Sequence, residues 1–173
     1  MSKNVGKIFE EDFFNSISND YFCHRLKDTA QSYNDNKNTK FSWKNPFDYF
    51  VYDGNILCCL ELKSTCQKYM GFQIDENDKS SKIIKWHQIE ALTKASKYKN
   101  IVAGFILNFR LDNGEQFTYF FNIKDFNLMR QSFSKKSFNI MDVVLYGAIK
   151  INGYKKRTRW HWQLDEFFES LNV

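Results

Sequence analysis

Asp48, Glu61 and Lys63 are the residues of this chain whose types and spacing most plainly suit chemistry. Asp48 lies in a β-like run, residues 47–53, and Glu61 in a second, residues 56–62; between them Gly54 and Asn55 suit a two-residue type II′ hairpin turn. With that turn, Asp48 stands directly opposite Glu61, their Cβ atoms about 4.5–5.5 Å apart. If the turn slips to Asp53 and Gly54, Asp48 faces Cys59 and Glu61 becomes its diagonal neighbour. Either register keeps the two acids on one face, and Lys63, two residues beyond Glu61, projects from it as well. Opposed carboxylates in otherwise apolar strands repel and are costly to bury unless a cation lies between them or one is protonated. A hard divalent ion is the economical explanation, since Mg²⁺ takes oxygen ligands and retains waters for chemistry. For Lys63 the plain alternative is a salt bridge to Asp48 or Glu61 in a fold that catalyses nothing.

Two helical patterns supply further candidates. In residues 5–18, Val5, Ile8, Phe9, Phe13 and Ile17 fall on one face. Glu10 lies about 80° from the centre of that face and can look into the site, whereas Glu11 points away to solvent. In residues 85–97 the buried face is set by Ile84, Ile89, Ala91, Leu92 and Ala95, with Gln88 near its middle. An inward amide needs a partner. That partner is either a backbone group in the core or, in a working site, a substrate phosphate or a metal-bound water. His87, about 100° further round, reads as a rim residue.

The elements that must position these groups form one domain. The chain has 173 residues, 43% of them hydrophobic and 18% aromatic, which excludes a wholly disordered chain and supports a sizeable core. One proline, Pro46, and 7 glycines leave no linker to divide it. After the hairpin come a short strand at 69–74, a charged loop at 75–82 and the Gln88 helix. Strand-like runs follow at 101–109 and 117–123, joined around Asp112, Asn113 and Gly114, and then helical patterns at 125–132 and 163–171. This order predicts an α/β sheet with helices packed on its faces. Residues 27–45, polar and rich in Asn, Lys and Ser, read as a loop or projection. Cys23, Cys58, Cys59 and Cys66 contain no Cys-x-x-Cys pair and no histidine at zinc-ligand spacing, so they read as ordinary thiols. No apolar run approaches the roughly 20 residues of a membrane span, and the N-terminal residues lack a signal-peptide core, so a cytoplasmic protein with no membrane partner is expected.

The charge is localised. Lys plus Arg number 25 against 20 Asp plus Glu, and residues 143–164 hold Lys150, Lys155, Lys156, Arg157 and Arg159 with no acid. The whole formal excess of +5 sits there, interleaved with Tyr154, Trp160 and Trp162. Bases among aromatics suit a polyanion whose phosphates need neutralising; a solvated basic turn ahead of a terminal helix explains the charge equally well.

Pro46-Phe47-Asp48, then twelve residues, then Glu61-Leu62-Lys63, resembles the PD-(D/E)XK nuclease superfamily. Gly6-Lys7-Ile8-Phe9-Glu10 before the hairpin, Asp48-Tyr49 within it, and Trp86-His87-Gln88-Ile89-Glu90 after it resemble the RecU-type Holliday-junction resolvases, including their phage-encoded members. The resemblance runs from about residue 6 to residue 123. It departs from the family in having Pro-Phe-Asp for Pro-Asp, a short candidate stalk at 27–45, and a longer loop at 75–82.

The resemblance implies a restriction-endonuclease-like fold, with a mixed central β-sheet flanked by helices in a single domain. It implies Mg²⁺, with Mn²⁺ able to substitute and no small-molecule cofactor. Asp48, Glu61 and the backbone carbonyl of Leu62 would ligate the metal, and Glu10 would ligate or orient a second ion or its water. Lys63 would position the attacking water or stabilise the phosphorane, and Gln88 would help set the nucleophile. The implied activity is resolution of four-way DNA junctions by paired phosphodiester hydrolysis, for which a homodimer is the simplest arrangement. Lys37, Lys40, Lys44, Lys82, Lys85, Lys155, Lys156, Arg157 and Arg159 would hold DNA through its phosphates. The alternatives are a nuclease of the same fold acting on duplex or flap DNA, and a DNA-binding module that has kept the fold without turnover.

Overall fold

Strands that are apolar on both faces need cover on both faces, and the hairpin of Asp48 and Glu61 lies within such a sheet. The computed structural model describes residues 5–26 and 45–171. The elements run α1 (Val5–Phe14), β1 (Phe22–Arg25), β2 (Tyr49–Tyr52), β3 (Leu57–Thr65), β4 (Met70–Gly71), α2 (Trp86–Ala95), β5 (Ile101–Arg110), β6 (Gln116–Asn122), α3 (Ile123–Ser132), β7 (Ser137–Phe138), α4 (Ile140–Leu145), β8 (Ile149–Ile151), β9 (Gly153–Lys156), β10 (Arg159–Trp162) and α5 (Leu164–Ser170).

The main sheet has the order β1-β2-β3-β5-β6-β8. Only β3 and β5 pair in parallel, so the chain must cross over between them, and α2 lies on that crossover. All other neighbours in the sheet are antiparallel, which makes it mixed. The expected mixed central sheet flanked by helices is therefore present. β9 pairs with β10, and β4 with β7, as two separate two-stranded ribbons.

The pleat of the central strands divides the core. Phe105 and Leu107 join Ile89 and Leu92 of α2 and Phe126 and Met129 of α3 on one face. Ile106 and Phe120 join Phe9 and Phe13 of α1, Phe167 and Phe168 of α5, and Trp162 on the other. Where β5 and β6 pair, Gly104 is required by space: a Cβ there would lie 2.5 Å from the Phe121 carbonyl oxygen and 2.6 Å from the Phe120 ring.

The first helix is shorter than the predicted 5–18. It ends at Phe14, and the Ser16 hydroxyl donates to the Asp12 carbonyl at 2.7 Å. The strand expected at 69–74 contracts to Met70–Gly71, and the one expected at 47–53 begins only at Tyr49. The basic stretch is more structured than a turn between helices, because it contains β8 and the β9–β10 hairpin. The candidate stalk falls almost wholly outside the described residues. Among the described residues no helix is long and apolar enough to cross a membrane.

Phe126 is fully buried and its ring meets those of Phe72, Phe105, Phe121 and Phe138 at centroid distances of 5.0–6.0 Å. Phe126→Ala is expected to cost about 3–5 kcal/mol, read as a lower urea midpoint at unchanged m-value.

Candidate active site

The turn between β2 and β3 decides what Asp48 faces. Gly54 takes φ +99°, and Asp53 Oδ1 accepts from the backbone N–H groups of Asn55 at 2.8 Å and Ile56 at 2.7 Å. Gly54 and Asn55 are thus the turn residues, and Tyr49 pairs with Leu60 and Tyr52 with Leu57. One step along that register Asp48 stands opposite Glu61. The Asp48 N–H donates to the Leu60 carbonyl at 3.0 Å, and its own carbonyl accepts from Leu26 N–H at 2.8 Å. Its side chain is fixed too, Oδ2 accepting from the Leu62 N–H at 2.8 Å.

Glu61 is 2% exposed, with Lys63 Nζ 2.7 Å from its Oε1. The Gln88 amide reaches down from α2 and donates to the same oxygen. Gln88 also bonds a backbone group, one of the partners expected for it: its Oε1 accepts from Lys85 N–H at 3.0 Å at the start of α2. Burial pushes the Glu61 carboxyl up to about 7; Lys63 opposes the rise, while the negative charges of Asp48 and Glu10 add to it. Asp48, Glu61, Lys63 and Gln88 thus come together, and Glu10 stands close enough for its charge to be felt.

On the opposite face of β3, the Ser64 hydroxyl donates to Asn108 Oδ1 at 2.7 Å. The Asn108 amide in turn donates to Thr118 Oγ1 and Gln116 Oε1, both at 3.0 Å. This ladder is satisfied throughout and ties β3, β5 and β6 together beside Lys63.

Glu10 is engaged in a way the sequence did not indicate. Its carboxylate forms an ion pair with Arg25 at the end of β1. A four-residue edge strand carries no usable periodicity, and the two residues lie far apart in sequence, so no spacing signal could have found Arg25. Glu11, expected in solvent, is exposed but accepts from Arg159 at 2.8 Å.

Arg159, expected to hold DNA, is engaged within the fold. Its guanidinium also pairs with Asp12, which is 4% exposed and accepts from the Trp160 N–H as well. With Trp162 N–H donating to Ser16 Oγ at 2.9 Å, these bonds dock the β9–β10 hairpin on α1. The exposed cations of the hairpin are Lys155, Lys156 and Arg157, the last in the turn at φ +59°. Lys82 and Lys85 are half-buried ahead of α2, Lys82 with its aliphatic chain against Gly71. Lys37, Lys40 and Lys44 lie outside the described residues.

Among the described residues no group of three or more His, Cys, Asp or Glu that could hold a metal ion occurs. Asp48 and Glu61 nevertheless form an all-oxygen donor pair, and Mg²⁺ commonly binds through one or two carboxylates, completing its shell with waters and substrate phosphate. The donor chemistry fits a hard dication. A buried carboxylate raised to about 7 would also gain by having one beside it.

No protein-family model matches the chain. It is similar to the SPbeta prophage-derived uncharacterized protein YotM of Bacillus subtilis (strain 168), 36% identical over 126 residues. The match covers 72% of this chain and 59% of that relative, so the chain spans under two-thirds of the relative's length. Among solved structures it is similar to Hjc of Archaeoglobus fulgidus, a Holliday junction resolvase from an archaeal hyperthermophile. That similarity has a TM-score of 0.39 and 13% identity, over 75% of this chain and 82% of the other.

Glu61 sets a pH dependence in the metal-free protein. From its ordinary value of 4.5 up to about 7 the folded chain holds a proton that the unfolded chain releases, so stability falls as pH rises through that window. Urea denaturation in EDTA at pH 5 and pH 8 is expected to show this loss, on the order of 2 kcal/mol, in the wild type. Glu61→Gln should remove most of the difference; an equal pH slope in both proteins would contradict the assignment.

Proposed function

We propose that the chain is a Mg²⁺-dependent, structure-selective DNA endonuclease of the RecU-like, phage type that resolves four-way junctions. The observation that carries this reading is the convergence of Asp48, Glu61, Lys63 and Gln88, with Glu61 buried among them. The similarity to a prophage-derived protein accords with a phage origin.

Asp48 and Glu61 would hold the ion, with the Leu62 carbonyl as a further ligand. When bound, a divalent ion lowers the pKa of a water and neutralises charge on the phosphate it contacts, and Mn²⁺ can supply the same chemistry. The protein's own groups do the remainder. Gln88 fixes the rotamer of Glu61 from above, so the carboxylate does not have to be ordered when substrate arrives. Asp48 is held by the Leu62 N–H for the same purpose. Lys63 pairs with Glu61 in the free protein and stabilises the developing phosphorane charge in the reaction. Paired cuts need two such sites, hence a homodimer. Lys155, Lys156 and Arg157, carried on a hairpin docked to the Glu10 helix, would grip the phosphate backbone without reading bases.

Cleavage of a labelled four-way junction in Mg²⁺, set against matched duplex and flap, tests the reading. Symmetric nicks across the junction are expected, reduced by roughly 10²-fold or more in Asp48→Asn. Equal cutting of duplex would remove the junction preference, and tight binding with no cutting would identify a non-catalytic module.

Replacing Lys155, Lys156 and Arg157 together by Gln should weaken binding to junction and duplex alike. The slope of log K against log salt should become shallower by about 0.9 for each phosphate that the variant no longer neutralises.

A further inference from the structure

Side chains alternate across the β9–β10 ribbon, and cross-strand partners share a face: Trp162 pairs with Gly153 and Trp160 with Lys155, while His161 pairs with Tyr154 and Arg159 with Lys156. The first of these faces is turned inward. Trp162 is 1% exposed, its ring stacks on that of Trp160 with centroids 5.3 Å apart, and a Cβ on Gly153 would lie 2.4 Å from it. Only a glycine lets β9 lie so close over the indole. Tyr154 and His161 are therefore carried on the other face.

Tyr154 is 51% exposed, and the His161 ring meets it at a centroid distance of 5.3 Å, tilted by 57°. The imidazole restrains the phenol ring without covering it. The strand beneath is firmly held, since the N–H groups of Trp160 and Trp162 donate to Asp12 Oδ2 at 3.2 Å and Ser16 Oγ at 2.9 Å. A ring mounted in this way does not have to be ordered when a ligand arrives. Lys156 lies on the same face two residues along β9, about 6.5–7 Å away. Beyond it the turn places Arg157 at φ +59°, a conformation that favours glycine or asparagine but here carries a cation at the hairpin tip. Lys155, Lys156 and Arg157 are all exposed. An exposed ring beside cations is the combination that holds nucleic acid where its bases are free: the cations follow the phosphates, and the ring stacks on a base of any sequence.

We propose that Tyr154, backed by His161, is a stacking site for an unstacked base of DNA, with Lys156 and Arg157 holding the phosphates beside it. An internal base of a duplex has both faces covered by its neighbours. At a branch the stack is interrupted and a base presents a free face, so the hairpin favours branched over continuous DNA. This rests on the DNA-binding part of the reading above and gives it a source of structure selectivity that phosphate contacts, common to all DNA, do not supply.

The test is equilibrium binding, in EDTA so that no cleavage intervenes, to a forked DNA with two unpaired arms and to a fully paired duplex of the same length. Tyr154→Leu should weaken binding to the fork roughly 5-fold or more while changing duplex affinity by less than about 2-fold. Its salt dependence should match that of the wild type, because no charge is removed. Tyr154→Phe keeps the ring and should bind the fork as the wild type does. With 2-aminopurine as the first unpaired base, binding of the wild type should quench its fluorescence and binding of Tyr154→Leu should not. The proposal is overturned, and the nuclease reading left standing, if the wild type binds the fork without quenching or if Tyr154→Leu keeps full affinity for the fork. Equal losses on fork and duplex, in a variant that retains the wild-type urea midpoint, overturn it as well. A wild type that binds neither DNA overturns both.

Discussion

A carboxylate inside a sheet must be neutralised or held by donors, and the site is organised around meeting that requirement for Glu61. Lys63, on the same face of the same strand, supplies the charge, and Gln88 supplies an amide from α2. Each donor fixes something larger. The lysine must stay on the Glu61 face, which ties the pleat of β3 to the register with β2. The glutamine must reach the sheet from above, which ties α2 to the parallel crossover between β3 and β5. A one-residue slip between β2 and β3 would turn Asp48 to the opposite face from Glu61 and undo the arrangement.

The other side of the sheet is governed by α1, which is held by two arginines. Arg25 engages Glu10, while Arg159 engages Glu11 and the buried Asp12. Three consecutive acids thus serve two different elements, one at the rim of the candidate site and one on the basic hairpin. Because Asp12 is buried, its bond to Arg159 is far less open to screening by salt than an exposed pair would be. The hairpin that would touch phosphate and the helix that carries Glu10 are therefore mechanically one unit.

The site was more legible in the sequence than the fold's periphery. Asp48, Glu61 and Lys63 could be placed because Gly54 and Asn55 define a turn, and a turn defines a register. Gln88 could be placed because a polar residue among Ile89, Leu92 and Ala95 stands out against a helical period. The β9–β10 hairpin gave no such sign: its turn uses Arg157 at φ +59°, where a glycine or asparagine would have marked it, so the segment read only as a run of charge. The ion pair of Arg159 was hidden for the same reason, since charge counted along the chain does not show that Asp12 waits for it across the fold. The short strand β1 and the six-residue α4 carry too few turns of pattern to be seen, and with β1 went Arg25.

Arg159 and Glu11 meet across 148 positions of sequence. That separation orders events during synthesis, because a contact cannot form before its later partner exists. The paired acids, Lys63 and Gln88 all leave the ribosome well before β10. Until β10 emerges, α1 lacks the clasp on Asp12, so a nascent chain bearing the rest of the site still has its Glu10 helix only partly secured.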